Sequence, residues 1–236
     1  MLRTLVSLIG FMVACAPAVA AADPPRQITL EYRITKAGIT IGTVREVFTR
    51  EDDRYRIVSE TRTAGPVRVF LKERLAVTSE GRIGAGGLIP ERYAFQRDRN
   101  THKNLVSTFD WSAGQILASI DGGARHESFE LPAGTQDRAS AMYQFMFRAP
   151  QSESVTTWMS QGKKAEHYQY RRAGTESLSI GGRDYSTVHY ARVAQAGEAH
   201  AELWLAADIY HLPVKIAFAD SHGLALEQTL VSVSLQ

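Results

Sequence analysis

Ile28-Thr29-Leu30-Glu31-Tyr32-Arg33-Ile34-Thr35 alternates without a break: Ile28, Leu30, Tyr32 and Ile34 point one way, and Thr29, Glu31, Arg33 and Thr35 the other. Successive side chains of a strand lie on opposite faces, so this stretch describes a strand with one face in a core and the other in water. The same two-residue period marks strands near 39–49, 54–63, 72–79, 91–98, 104–111, 115–120, 125–131, 164–172, 184–194, 199–206, 213–219 and 224–234. Short connections separate them: Glu51-Asp52-Asp53, Glu80-Gly81, Ser112-Ala113-Gly114, Asp121-Gly122-Gly123, Gly181-Gly182 and Ser221-His222-Gly223. A parallel return needs a crossover of about a dozen residues or more, so turns this short join antiparallel neighbours. The expected fold is mainly β, a single curved antiparallel sheet or open, flattened barrel of about 12 strands, because so many strands must close or curl to protect their edges.

One long helix is predicted over about 135–148, where Ala139, Met142, Tyr143, Met146 and Phe147 recur at helical spacing. Thr135 can cap it, Asp137 suits its first turn and Arg148 its last, and Pro150 stops it. Its apolar face needs a partner, and the concave face of the sheet supplies one. A shorter helical turn is expected at Pro66–Leu71, and Gln151–Lys164 reads as a loop.

The first 22 residues follow the order of a secretory signal: Arg3, an apolar stretch from Leu5 to Ala14, then small residues ending Ala18-Val19-Ala20-Ala21-Ala22. That stretch is too short to span a bilayer, which takes roughly 20 residues. Residues 23–236 are therefore expected to form one β-rich periplasmic domain with no transmembrane segment. A competing reading takes Met12-Val13-Ala14-Cys15 as a loose lipobox, with Cys15 acylated. Cys15 is the only cysteine, so cleavage after Ala20 leaves no thiol for a disulfide, metal or nucleophile. Loss of Arg3 leaves 26 basic against 25 acidic residues, a balance that argues against nucleic acid as a partner.

Catalytic and metal-ligating patterns are missing from the sequence. The seven histidines are scattered singly, although His189 and His200 fall on neighbouring predicted strands. There is no Gly-x-Ser-x-Gly elbow, and Gly84-Ala85-Gly86-Gly87 precedes a strand, where no helix N-terminus holds an anion. Glu31, Glu46, Glu60 and Glu73 lie on strands, where paired carboxylates for hydrolysis remain open but solvated cross-strand pairs are commoner. The chain is expected to be no enzyme and to use neither metal nor cofactor.

Several segments resemble the exported proteobacterial proteins grouped as domain of unknown function 3108. They are Thr63-Ala64-Gly65 leading into Phe70-Leu71-Lys72-Glu73-Arg74, Gly87-Leu88-Ile89-Pro90-Glu91-Arg92-Tyr93, Thr108-Phe109-Asp110-Trp111 with Gly114, Leu131-Pro132-Ala133-Gly134-Thr135-Gln136-Asp137 with Ser140-Ala141-Met142-Tyr143, and Leu203-Trp204-Leu205 through Tyr210 to Leu212-Pro213-Val214-Lys215. The resemblance implies an envelope location and a curved sheet around a helix, and it carries no catalytic residue. The C-terminal third is similar, more distantly, to the bacterial lipoprotein carriers, whose unclosed barrels hold acyl chains.

Three functions are weighed. The favoured one is non-catalytic binding of a lipid or acyl chain between helix and sheet, lined by Trp111, Met142, Tyr143, Met146, Phe147 and Trp204. The second is a protein-interaction module with a filled core that binds another envelope protein through an outer face or strand edge. The third is an envelope hydrolase using strand carboxylates.

Overall fold

Strand β1 (Gln27–Lys36) realises the alternation, with Ile28, Leu30 and Tyr32 no more than 1% exposed. The computed structural model describes residues 24–69, 73–150 and 152–236; the expected signal, Cys15 and Phe70–Lys72 lie outside the described residues. Ala37 and Gly38 both adopt positive φ, +48° and +78°, the geometry a two-residue hairpin needs to return the chain as β2 (Ile39–Glu51). The meander continues through β3 (Arg54–Thr63), β4 (Arg74–Gly84), β5 (Gly87–Arg97), β6 (Leu105–Asp110), β7 (Gln115–Ile120) and β8 (Arg125–Glu130). After a short crossing segment come β9 (Gln136–Asp137) and the helix α1 (Ser140–Tyr143). The second meander is β10 (Ser154–Ser160), β11 (Ala165–Ile180), β12 (Arg183–Arg192), β13 (His200–Ala206), β14 (Leu212–Ala219) and β15 (Ala225–Leu235).

All fifteen strands belong to one sheet, ordered β8-β7-β6-β5-β4-β3-β2-β1-β15-β14-β13-β12-β11-β10-β9. Every strand thus lies beside its sequence neighbour except at one break, between β8 and β9, while β1 and β15 pair from Ile28 opposite Leu235 to Thr35 opposite Glu227. The expected open, antiparallel architecture is the observed one, a barrel-like sequence of strands left unclosed. The single parallel pairing among the described residues, Met159 opposite Gln136 and Ser160 opposite Asp137, ties β9 to β10.

Several local expectations change. The strand count is fifteen because β9 and β10 were not read from the sequence, and β10 occupies the predicted loop over 151–164. Its inward positions are Val155, Thr157 and Met159, but Trp158 faces outward at 37% exposure, which masks the hydrophobic alternation. Glu80-Gly81 lies inside β4 and is not a turn: the register shifts there because β5 carries an extra residue, Glu91, between Pro90 and Arg92, and Pro90 has no N–H to give the ladder. The chain turns instead at Ala85-Gly86. The predicted helical turn at 66–71 is a 3-10 turn at Gly65–Val69.

The predicted long helix is the largest revision. Gln136 and Asp137 pair as strand, α1 spans only Ser140–Tyr143, and a 3-10 turn at Gln144–Met146 follows it. Thr135 does not cap the helix; its hydroxyl donates to Pro132 O (2.7 Å). Asp137 takes that role, because its Oδ1 accepts from the backbone N–H groups of Ala139 (2.8 Å) and Ser140 (2.9 Å).

Candidate functional site

The segment from Gln136 to Pro150 crosses the concave side and presents apolar side chains in two directions. Tyr143, Met146 and Phe147 join the main core of β1, β2, β3 and β14; the Tyr143 ring stacks on Phe48 at 5.3 Å and 13°. Phe145 packs the other way, against a second cluster of Tyr168, Tyr170, Tyr190, Leu203 and Leu205, and Met142 touches both. A periodicity that looked too apolar for one helix face therefore serves two cores.

A buried polar chain anchors this segment to the sheet. Ser79 Oγ on β4 donates to Asp137 Oδ2, and since its proton is committed there, Tyr55 OH on β3 donates to Ser79 (3.0 Å). Asp137 is fully buried, and that burial pushes its carboxyl up from the usual 3.8 to about 6, against the lowering effect of its hydrogen bonds. Glu46 on β2 accepts from Ser59 (3.0 Å) and from Tyr143 OH (3.4 Å), and burial likewise raises its carboxyl. Desolvation also holds the phenols of Tyr32, Tyr55 and Tyr143 well above the ordinary value, so all three remain neutral donors.

On the Met142 and Phe145 side the packing is incomplete. A cavity of about 530 Å³ lies between the crossing segment and the β10–β11 hairpin, within the range of roughly 300–1,000 Å³ usual for small-molecule sites. Met142, Phe145, Val155, Met159, Tyr170 and Leu203 give it an apolar lining, and Gln136, Gln144, Arg148, Trp158 and His167 add polar or exposed groups. Gln144 is occupied: its Oε1 accepts from Leu88 N–H (2.7 Å) and its Nε2 donates to Gly86 O (2.8 Å). Gln136 Nε2 donates to Leu88 O (2.9 Å), whereas its Oε1 is buried with no partner among the described residues. β9 covers β10 only at Met159 and Ser160, so the stretch from Ser154 to Trp158 beside the cavity has an outer edge without a strand among the described residues.

The six residues singled out from the sequence are not brought together. Met142 lines the cavity, and Tyr143, Met146 and Phe147 face the filled core on the other side of the same segment. Trp111 lies just beyond β6, where it stacks with Phe109 (6.4 Å) and donates Nε1–H to Pro90 O (2.6 Å). Trp204 on β13 stacks on His189 (4.2 Å, 9°), lies under the Lys215 ammonium (4.8 Å) and donates to Glu176. Sequence reasoning passed over Val155, Met159, Tyr170 and Gln136; the Val-Thr-Thr-Trp run of β10, rich in strand formers, was the available signal.

Two other sequence expectations have definite places. His189 and His200 do not meet: His189 lies opposite Trp204, and its Nε2 is 3.0 Å from Glu202 Oε2. Among the strand carboxylates, Glu60 pairs with Arg62 and Arg74, Glu73 with Arg97, and Glu31 accepts from Ser232. Glu46 is the one of the four that bonds the crossing segment, through Tyr143.

A family model described as a protein of unknown function, DUF3108, matches residues 31–229, the span of sheet from β1 to β15. The chain belongs to that family. The motifs quoted above as resembling DUF3108 thus correspond to the family itself. No curated protein sequence matches this DUF3108 chain significantly. Among solved structures, a β-barrel-like protein of domain of unknown function DUF1849 from Brucella abortus superposes with a TM-score of 0.56 at 11% identity, covering 90% of this chain and 99% of that one. The likeness is one of fold. A putative outer membrane lipoprotein-sorting protein domain from Vibrio parahaemolyticus aligns over 89% of this chain and 85% of its own, at 10% identity and a TM-score of 0.26. The Mycobacterium tuberculosis lipoprotein LppX aligns over 89% and 87%, at 11% identity and 0.23. At those two scores the superposition carries no structural argument.

Proposed function

We propose that this DUF3108 protein is a non-catalytic binding protein of the bacterial envelope, taking an apolar or amphipathic ligand such as a lipid or acyl chain in the cavity between the crossing segment and the β10–β11 hairpin. The observation that carries the reading is the cavity itself, about 530 Å³ with Met142, Phe145, Val155, Met159 and Leu203 in its lining. Flexible methionines and exchangeable aliphatic contacts suit a loosely specified apolar guest. The signal-like order of residues 1–22 supports export to the periplasm, and the continuity of one sheet from β1 to β15 supports treating 23–236 as one domain.

Native mass spectrometry of the protein purified from its own envelope tests this reading. The expected result is a bound species heavier than the polypeptide by the mass of a lipid. Only ligand-free protein, together with no quenching of tryptophan by acyl probes, would refute it. A second reading, docking of another envelope protein, rests on the β8 edge, whose outer side carries no strand among the described residues.

A further inference from the structure

One wall of the cavity is the edge of a strand. Successive residues of a strand face opposite sides, yet Ser154 to Met159 all line the cavity, so it abuts the edge of β10 as well as its inner face. The hairpin's backbone bonds fix what that edge presents. Arg172 N–H donates to Glu153 O (2.9 Å), so the odd residues of β10 exchange hydrogen bonds with β11, and the even ones, Ser154, Thr156 and Trp158, turn theirs away from it. Two further bonds agree: Gln169, opposite Thr156, gives its carbonyl to Val193 N–H (2.8 Å), and Ser160 O accepts from Arg138 N–H on the β9 side (3.1 Å). β9 reaches only Met159 and Ser160, and Thr156 N–H and C=O both lack a partner among the described residues. Natural edges are blunted by charges, proline or a bulge. β10 has none of these: Ser154-Val155-Thr156-Thr157-Trp158-Met159-Ser160 is uncharged and rich in strand formers, and its ladder runs from Ser154 opposite Arg171 to Ser160 opposite Ala165 without a shift.

We propose that this edge binds an extended segment of another polypeptide, which adds a strand to β10 over Ser154–Trp158 and turns apolar side chains toward the cavity. Alternating N–H and C=O groups along an edge are matched by the backbone of a second strand, and an acyl chain offers nothing to them. The residue opposite Thr156 exchanges both backbone bonds with it and points outward, on the face of the exposed Trp158. Its two neighbours point inward beside Val155 and Thr157, toward the side that Met142 and Phe145 line. The recognised pattern is therefore apolar-x-apolar. A second copy of this chain is a worse occupant: two β10 edges meeting antiparallel about Thr156 would bring the β9 of each, which lies beside Met159 and Ser160, onto residues 152–153 of the other. A lone extended segment has no such flank. The inference goes beyond the ligand-binding reading, since it turns on the backbone of β10 and needs no lipid.

Fluorescence polarisation with labelled heptapeptides, Lys-x-Thr-x-Thr-x-Lys with Val, Leu or Phe at x, tests the edge. In the bound strand the threonines aim their backbone groups at β10 and the x residues aim theirs away, so N-methylation separates strand pairing from apolar contact with the side chains held constant. Peptides N-methylated at x should bind as their parents do, and those N-methylated at the threonines about tenfold more weakly, for the loss of two hydrogen bonds. Thr156→Pro should weaken binding of the parents by a similar factor and leave the urea midpoint nearly unmoved, because that N–H serves no bond to β11. The N-methyl comparison stands without that variant. Equal binding by the two N-methylated sets, or binding by no peptide, would overturn the proposal. So would a dimer of the peptide-free protein that Thr156→Pro dissolves, which would give the edge to a second copy. None of these results bears on lipid, which native mass spectrometry decides separately.

Discussion

Replacing Asp137 with Asn removes one titration from the interior and should change the slope of stability with pH more than stability itself. The Asp137 carboxyl has a folded-state pKa of about 6 against 3.8 for the free group, so between those values the native protein holds a proton that the unfolded chain has lost. Stability from this residue is fully present below about pH 4 and is lost as pH rises through about 6, because folding then forces a charge into a buried site. A rise of about two units corresponds to roughly 3 kcal/mol. Asparagine preserves the geometry: its Oδ1 can accept from Ala139 and Ser140, and its amide can donate to Ser79 in place of the hydrogen bond that Asp137 accepts. Glu46, also raised by burial, titrates with the same sign in both proteins, so the difference between wild type and Asp137→Asn isolates residue 137. Urea unfolding at intervals between pH 4 and 7.5 is the assay. The stability of Asp137→Asn relative to wild type should climb by about 3 kcal/mol across that range. A difference that stays flat, or one that falls, would refute the buried, charge-penalised carboxylate.

Tyr143→Ala removes a ring that is 1% exposed and stacked on Phe48, and should cost about 3–5 kcal/mol in the same unfolding assay. Gly162→Ala places a Cβ 2.3 Å from Leu105 Cδ1 at a φ of +91°, in the hairpin that docks on β5 and β6; a loss of about 1–3 kcal/mol is expected, read from the thermal midpoint. Val155→Phe should fill part of the cavity, leaving the urea midpoint nearly unmoved while weakening the quenching of tryptophan by acyl probes; full acyl affinity in that variant would show that the chain binds elsewhere.

The strands that alternate cleanly were legible because one face is buried and the other wet, as in β1 and at Val44 and Phe48 of β2. β10 was not, because its half-buried inward positions mix Val155 and Met159 with Thr157 while its tryptophan faces outward. The helix was overread for a related reason. Periodicity registers that Met142, Tyr143, Met146 and Phe147 need burial, but it is blind to Asp137 being drawn out of the helix by Ser79, a residue on a strand far away in sequence. Trp111 and Trp204 looked like ligand contacts because large aromatics suit apolar pockets; each has its indole N–H taken, by Pro90 O and by Glu176. The orphaned Gln136 oxygen has no sequence signature, since its isolation is a property of the surrounding fold.

The methionines test the site most directly. Of the five in the chain, Met142 and Met159 line the cavity, whereas Met146 packs into the core on the opposite side of the same segment. With methyl-labelled methionine, titration of a spin-labelled hexadecanoate should broaden the NMR signals of Met142 and Met159 in a saturable way and leave Met146 sharp. Broadening of Met146 alone, equal broadening of all three, or none at a saturating lipid concentration would contradict an acyl chain lodged between the crossing segment and the β10–β11 hairpin.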